Sequence, residues 1–320
     1  MSDRLKIIFA GTPYFAVPTL QILNDSGFEI KGVLTQPDQK SGRGLKFNAS
    51  PIKQLAEKLN IPIYQPETLK NTAAIEKIKS IEADIMVVAA YGLIIPKDIL
   101  ELFNGKVFNV HASLLPRWRG AAPIHRAIEN GDKEIGITIM GVEERLDSGP
   151  MYRKVAIKND QKLTTGELTE ILAYKGAESM RDLINDYEKS ESVTSQIQDE
   201  SKATYAKKIL KEEAQINLND SADIFVRKSL AFNPFPGIQS KFRGKLLKFW
   251  RAKKTSFTND NNIEPGVLFK NNHNLYLRLH NELVEIEELQ VEGKKKMFAK
   301  EFISGYKLEQ PENLDEWNSY

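Results

Sequence analysis

The sequence predicts an α/β fold: a Rossmann-like, mostly parallel sheet with helices on both faces, followed by a small C-terminal β-barrel of OB-like type. Three observations lead there. In the first part of the chain, short apolar runs alternate with helix-period segments of about ten residues, the pattern of parallel βαβ units. From 188 to 209 the composition turns Ser-, Thr- and charge-rich. Beyond that, strand-like runs separated by frequent turns fill about 110 residues. The expected organisation is a first domain over 1–187, a linker over 188–209 running across the surface, and a barrel domain over 210–320.

Each element has its own justification. LKIIFAG (5–11) reads as a buried strand, PTLQILNDSG (18–27) as a helix ending at a glycine, and FEIKGVLTQ (28–36) as a second strand. SPIKQLAEKLN (50–60) opens with Ser then Pro, an N-cap followed by a first-turn proline. IPIYQ, ADIMVVAAYG and KVFNVHA continue the strands, with TAAIEKIKSI and PKDILELF as helices between them. AAPIHRAIENG (121–131) is another helix. EIGITIMGVEERLDSGPMYRKVAI (134–157) reads as two longer strands joined by a polar turn, which makes the sheet mixed. In the long amphipathic helix over 164–187, Thr164 and Glu167 stand at capping-box spacing. After the linker, SADIFVRKSLAF forms one short helix, and the remaining runs, KMFAKEFISGY included, read as strands.

The totals exclude several chemistries. The chain has 320 residues, with 45 Lys and Arg against 43 Asp and Glu, so the distribution of charge matters more than its sum. Cysteine is absent, which rules out disulfides, Cys-zinc sites and thiol catalysis. The histidines, His111, His125, His273 and His280, form no HExxH-type spacing, and no metal is expected. No run approaches the ~20 apolar residues of a membrane span, and the N-terminal residues enter a strand without a leader pattern. A monomeric cytoplasmic protein is the expectation.

The chemistry concentrates in FNVHASLLPRWRGAAPI (108–124). Asn109 and His111 lie two residues apart on a strand, so their side chains leave one face. They stand at its C-terminal end, where open α/β sheets place their ligand crevice. The loop after them is stiffened by Pro116 and offers backbone N–H groups from Ser113 to Leu115. Asp147, in the turn RLDSGP, is positioned to reach His111 and fix its tautomer. An amide donor, a histidine and a carboxylate suit the attack of an amine on a carbonyl carbon, with Asn109 donating to the oxyanion and His111 handling the proton. On spacing alone, a pair of satisfied polar residues at a sheet edge is the preferred reading.

NVHASLLPRWRGAAPI with its following LDSG resembles the folate-dependent formyltransferases, and more narrowly the group acting on methionyl-tRNA. FAGTPYFAVPTL, QPDQKSGRGLKFNASPIK (36–53), VVAAYGLIIP (87–96), ATYAKKI (203–209) and AFNPFPG (231–237) extend the resemblance over nearly the whole chain. It implies Asn109, His111 and Asp147 as the catalytic trio, and Ser113, Leu114, Leu115 and Pro116 as the segment contacting tetrahydrofolate. The implied donor is 10-formyltetrahydrofolate and the implied acceptor initiator methionyl-tRNA, giving N-formylmethionyl-tRNA for translation initiation. The remaining alternatives are a formyltransferase acting on an amino-sugar nucleotide and a non-catalytic RNA-binding protein.

Two basic stretches bear on the acceptor. QKSGRGLK (39–46) carries Lys40, Arg43 and Lys46 without an acid, next to a strand end. KFRGKLLKFWRAKK (241–254) holds seven Lys or Arg and no acid, among them Lys241, Arg243, Lys245, Lys248 and Arg251. Such a stripe on a small barrel reads as a footprint for a phosphate backbone. Phe249 and Trp250 within it read as core.

Overall fold

A computed structural model describes residues 4–41, 46–189, 193–258 and 263–315. The chain forms two compact units: Met1–Pro123, Glu134–Ile157 and Thr169–Ala206 make the first, and Ile124–Lys133, Lys158–Leu168 and Lys207–Tyr320 the second.

In chain order the elements up to the end of the first unit are β1 (Lys6–Gly11), α1 (Val17–Asp25), β2 (Glu29–Leu34), β3 (Gln39–Ser41), β4 (Lys46–Asn48), α2 (Pro51–Lys58), β5 (Ile63–Tyr64), α3 (Thr72–Lys79), β6 (Ile85–Ala89), α4 (Lys97–Leu102), β7 (Val107–His111), β8 (Arg119–Gly120), α5 (Pro123–Asn130), β9 (Glu134–Gly141), β10 (Met151–Lys158), α6 (Thr165–Glu188) and β11 (Tyr205–Ala206). The main sheet runs β10-β9-β7-β6-β1-β2-β5. Strands β5, β2, β1, β6 and β7 pair in parallel, and β9 joins β7 antiparallel, so the sheet is mixed as the longer 134–157 runs suggested. All five residues of β6 are buried, as a central strand covered on both faces requires.

Local chemistry sets the helix starts. Ser50 Oγ accepts the Lys53 N–H at 3.0 Å, with Pro51 in the first turn. Thr164 and Glu167 form the expected capping box, the Glu167 carboxylate accepting both the N–H and the Oγ–H of Thr164. Gly176 lets α6 close on β7, since a Cβ there would lie 2.4 Å from Val110 Cγ1. Helix α6 therefore covers the β7 face that Val110 occupies and leaves the Asn109 and His111 face for other work.

The Ser- and charge-rich stretch does not run over the surface throughout. Residues 193–206 belong to the first unit: Gln196 bridges Met151, Gln198 is buried, and β11 pairs in parallel with β8. Most of its polar side chains stay exposed, but Gln198 is buried and bonded within the protein, which composition alone does not show.

The second unit adds α7 (Ala222–Ala231), β12 (Ile238–Phe242), β13 (Lys245–Lys254), β14 (Val267–Asn271), β15 (Asn274–Arg278), β16 (Leu283–Val291), β17 (Met297–Phe298), α8 (Ala299–Tyr306) and β18 (Glu312–Asn313). Its sheet runs β12-β13-β16-β15-β14-β18, and an antiparallel bridge from Asp315 to Lys241 returns it to β12, making a nearly closed barrel. KMFAKEFISGY is mostly helix, not strand. The Glu301 carboxylate accepts the Phe298 N–H at 2.7 Å, and Phe302 and Tyr306, one turn apart, stack at 4.7 Å. Phe302 buries its ring against Phe242 of β12.

His125 on α5 is structural, as its place beside Ile124 and Ile128 indicated. Burial, with the neighbouring Arg126 charge, pushes its imidazole down from 6.5 to about 4. The unfolded chain therefore binds one more proton between about pH 6.5 and 4, and stability is lost as pH falls through that window. The His125→Gln variant is expected to flatten this loss by up to about 1.4 kcal/mol per pH unit, measured by urea unfolding from pH 7.5 downward; an unchanged slope contradicts the assignment.

Candidate active site

Strand β7 supplies the first two groups. Asn109 stands in register with Val88 of β6 and Met140 of β9, and His111 stands opposite Thr138. Alternation places Asn109 and His111 on one face, as their spacing required. His111 is 5% exposed. Its Nε2 lies 2.9 Å from the Trp118 carbonyl oxygen. A carbonyl only accepts, so Nε2 carries the proton and Nδ1 is the basic nitrogen. Nδ1 faces Asp147 Oδ2 at 3.6 Å, too long for a direct hydrogen bond but close enough for the carboxylate to stabilise an imidazolium. The Trp118 carbonyl thus fixes the tautomer, the part the sequence assigned to Asp147.

Asp147 is itself held in place. Its Oδ2 accepts the Gly120 N–H at 2.8 Å. Trp118 (φ 64°) and Asp147 (φ 51°) both adopt left-handed backbone, sparsely populated for a tryptophan and better tolerated by an aspartate. On the Trp118 side, the Trp118 N–H donates to Thr204 Oγ1 at 2.9 Å, and Arg119 N–H donates to the Thr204 carbonyl at 2.8 Å. Gly120 has φ 112°, and a Cβ there would lie 2.9 Å from the Ala206 carbonyl oxygen. That carbonyl accepts N–H groups from both Ala121 and Ala122.

The loop Ser113–Pro116 folds back over β9. Thr138 fastens it: its hydroxyl donates to the Ser113 carbonyl at 2.7 Å and accepts the Leu115 N–H at 3.1 Å. Ser113 Oγ donates to the Arg117 carbonyl at 2.6 Å. The Leu115 N–H is thus committed within the protein, so it is not among the donors the loop was expected to offer. Leu115 packs on Met140 and Met151, and Leu114 crosses Gly136, where a Cβ would meet Leu114 Cδ2 at 2.5 Å. The segment that follows His111 is thus fixed by these contacts, with Ser113 and Leu115 buried.

Sequence reasoning did not single out Thr138, Arg119 or Gln198. Thr138 carries a usable signal, a hydroxyl in an otherwise apolar buried strand. The fully buried Arg119 donates to Gln198 Oε1 from Nε at 3.0 Å and from a terminal nitrogen at 2.9 Å, and to both Glu200 oxygens at 2.8 and 3.2 Å. Arg119, then Arg145, holds the Glu200 carboxyl below the usual carboxylate range. Nothing local in sequence marks Gln198. Among the described residues, no group of three or more acidic or histidine side chains could hold a metal ion.

The basic residues divide. Arg43 lies outside the described residues, and Lys40 and Lys46 are described by backbone alone, on the paired β3 and β4. On the barrel stripe, Arg243 pairs with Glu312, Arg251 with Glu167, Lys253 with Glu285 and Glu287, and Lys254 with Asp223. An acid-free sequence window is thereby largely neutralised in space. Lys241 stands opposite Leu246 in the β12–β13 ladder, and Lys245 opens β13, exposed. Lys248 differs from the paired residues: its Nζ donates to the Pro236 carbonyl and lies 5.4 Å from the Trp250 ring centre. Lys296 Nζ lies 3.9 Å from the same centre and donates to Asn233 Oδ1. Burial holds both ammonium groups below the ordinary lysine value; the Lys211 charge adds to this at Lys248, while at Lys296 the Glu288 carboxylate opposes it and the Arg251 and Lys248 charges add to it. Phe249 and Trp250 are core, as expected.

Comparison with known proteins now bears on this geometry. The family model described as formyl transferase matches residues 4–184, more than half of the chain, and the one described as formyl transferase, C-terminal domain, matches 208–307. The chain belongs to the formyl transferase family. Among its relatives, the methionyl-tRNA formyltransferase of Methylobacillus flagellatus is 44% identical over 304 residues, covering 95% of this chain and 97% of that protein. That of Coxiella burnetii is 44% identical over 303 residues, covering 94% and 96%. In fold, the chain is similar to WlaRD, a sugar 3N-formyl transferase solved in the presence of dTDP and 5-N-formyl-THF, with a TM-score of 0.66, 19% identity, and coverage of 92% of this chain and 100% of that one.

The Gly120→Ala variant tests the grip on Asp147. Its Cβ must displace either the Ala206 carbonyl or the N–H that Asp147 accepts, so turnover is expected to fall roughly 10²-fold while the protein stays folded by circular dichroism. A folded variant of full activity excludes that N–H from the mechanism.

Proposed function

We propose that this protein transfers the formyl group of 10-formyltetrahydrofolate to the α-amino group of methionine on initiator tRNA, acting as a cytoplasmic monomer. The observation that carries the reading is the placement of Asn109, His111 and Asp147 at the end of β7, in a chain that matches methionyl-tRNA formyltransferases over nearly its full length. No helix among the described residues is long and apolar enough to cross a membrane.

The geometry supports the following roles. The amine nitrogen attacks the formyl carbon, and the carbonyl electron pair moves to oxygen, where the Asn109 amide donates to the oxyanion. His111 Nδ1 takes the proton the amine sheds, and the Asp147 carboxylate balances the imidazolium. Collapse breaks the bond from the formyl carbon to N10 of the folate, and the imidazolium returns the proton to that nitrogen. No covalent enzyme intermediate is needed, so positioning of the two substrates contributes much of the rate. Ser113, Leu114, Leu115 and Pro116 form the edge against which the folate lies.

For the tRNA, the segment carrying Lys40, Arg43 and Lys46 meets the acceptor stem. On the barrel, Lys241, Arg243, Lys245, Lys248 and Arg251 face the phosphate backbone, joined by Lys296. Lys248 and Lys296 are the strongest contributors: no carboxylate among the described residues forms an ion pair with either, and partial burial raises the gain from meeting an anion.

Two measurements test the reading. Asn109→Ala and His111→Ala are expected to lose about 10²–10⁴-fold in turnover with tRNA affinity within twofold, read by formyl transfer to methionylated initiator tRNA, methionylated elongator tRNA and an amino-sugar nucleotide. Transfer to the sugar instead of the tRNA would overturn the acceptor assignment. Lys248→Ala with Lys296→Ala is expected to weaken tRNA binding and to reduce the slope of log affinity against log salt by about 1 to 2. An unchanged slope removes the pair from the interface.

A further inference from the structure

We propose that Gln198 is a positioning residue for formyl transfer, holding Asp147 in the one backbone conformation that aims its carboxylate at His111. The inference rests on the assignment of His111 and Asp147 to the reaction.

Gln198 is 4% exposed, and the hydrogen-bonding capacity of its side chain is fully committed. Its Oε1 accepts two N–H groups of Arg119. Its Nε2 donates to the carbonyl oxygens of Asp147 and Gly149, both at 2.8 Å. The two carbonyls flank Ser148 in the turn that presents the carboxylate, and Asp147 is the residue there with left-handed backbone. Aspartate tolerates this conformation without being confined to it, so hydrogen bonds to the turn's carbonyls decide how firmly it is held. Gln198 supplies that constraint on the backbone side, and the Gly120 N–H supplies it on the carboxylate side.

The two grips share an origin. Arg119 and Gly120 are consecutive, so one dipeptide controls the Asp147 carboxylate directly and the Asp147 backbone through Gln198. Arg119, buried without solvent, has its charge matched by Glu200, which Arg145 also contacts at 3.0 Å. Removing Gln198 leaves Asp147 free to turn, and a displacement of about 1 Å at a catalytic group costs on the order of 10²-fold in rate.

Glutamine is the side chain this place requires. Glutamate matches Arg119 but turns an acceptor toward two carbonyls. Methionine fills the space and offers neither function. Asparagine is one methylene short of bridging Arg119 to the turn.

The test compares Gln198→Glu, Gln198→Met and Asp147→Asn in the full-length protein, by steady-state transfer from 10-formyltetrahydrofolate to methionylated initiator tRNA across pH. Gln198→Glu retains the partner for Arg119, so it remains folded even where Gln198→Met does not. The expected result for Gln198→Glu is a roughly 10- to 100-fold fall in kcat, KM for both substrates within about twofold, and a displaced acidic limb of the kcat–pH profile. In an Asp147→Asn background the same substitution should add almost nothing, because its effect passes through Asp147. A merely structural role lowers the melting temperature and leaves kcat and its pH profile intact in the folded protein; that outcome, or additive effects in the double variant, overturns the proposal. If Asp147→Asn alone turns over at the wild-type rate, the site assignment fails first, which separates the two failures.

Discussion

The hydrogen bond from His111 Nε2 to the Trp118 carbonyl decides which imidazole nitrogen is basic, and much of the first unit serves to keep that carbonyl in place. An ordinary extended loop would not keep the carbonyl on the imidazole. Trp118 therefore adopts left-handed backbone, and it is tied through its N–H to Thr204. The next residue, Arg119, then turns its guanidinium into the protein. A buried charge costs several kcal/mol unless it is paired and fully hydrogen-bonded, which accounts for Gln198 and Glu200 beneath it. Segment 196–206 is thus as much a part of the site as the strand that carries His111, although it lies about 90 residues further on in the chain.

The same logic separates charge in sequence from charge in space. In the first unit, a basic side chain in the RWRG segment is a scaffold, because it is buried and matched. On the barrel, four of the seven basic residues between 241 and 254 meet carboxylates supplied by distant elements. Lys248 and Lys296 are set apart by what binds them: carbonyl oxygens and an indole ring hold each ammonium without cancelling its charge, and Glu288 acts on Lys296 without forming an ion pair with it.

The legibility of the site follows the range of each interaction. Asn109 and His111 were readable because strand alternation is a local rule, and the caps at Ser50 and Thr164 because a cap reaches only three residues. Asp147 was readable as a group near His111 but not in its role, since the tautomer depends on a backbone carbonyl that no side-chain pattern records. Gln198 was hidden by its surroundings: Ser, Thr and charged residues read as solvated, and only the fold shows that one glutamine among them is buried. KMFAKEFISGY was misread because its aromatic residues favour strand, whereas Phe302 and Tyr306 obey helical spacing once Glu301 caps the start.

The barrel closes through very little chain. β18 has two residues, and one bridge, Asp315 to Lys241, joins that side to β12. The Asp315 carboxylate also takes the Gly244 N–H, and Glu312 clasps Arg243 from the same short segment. Residues 312–315 thus act as a seal over two strand edges whose unpaired amides and carbonyls would otherwise invite strands from other molecules. Damage confined to these four residues would make itself felt as self-association of the protein through the edges they cover.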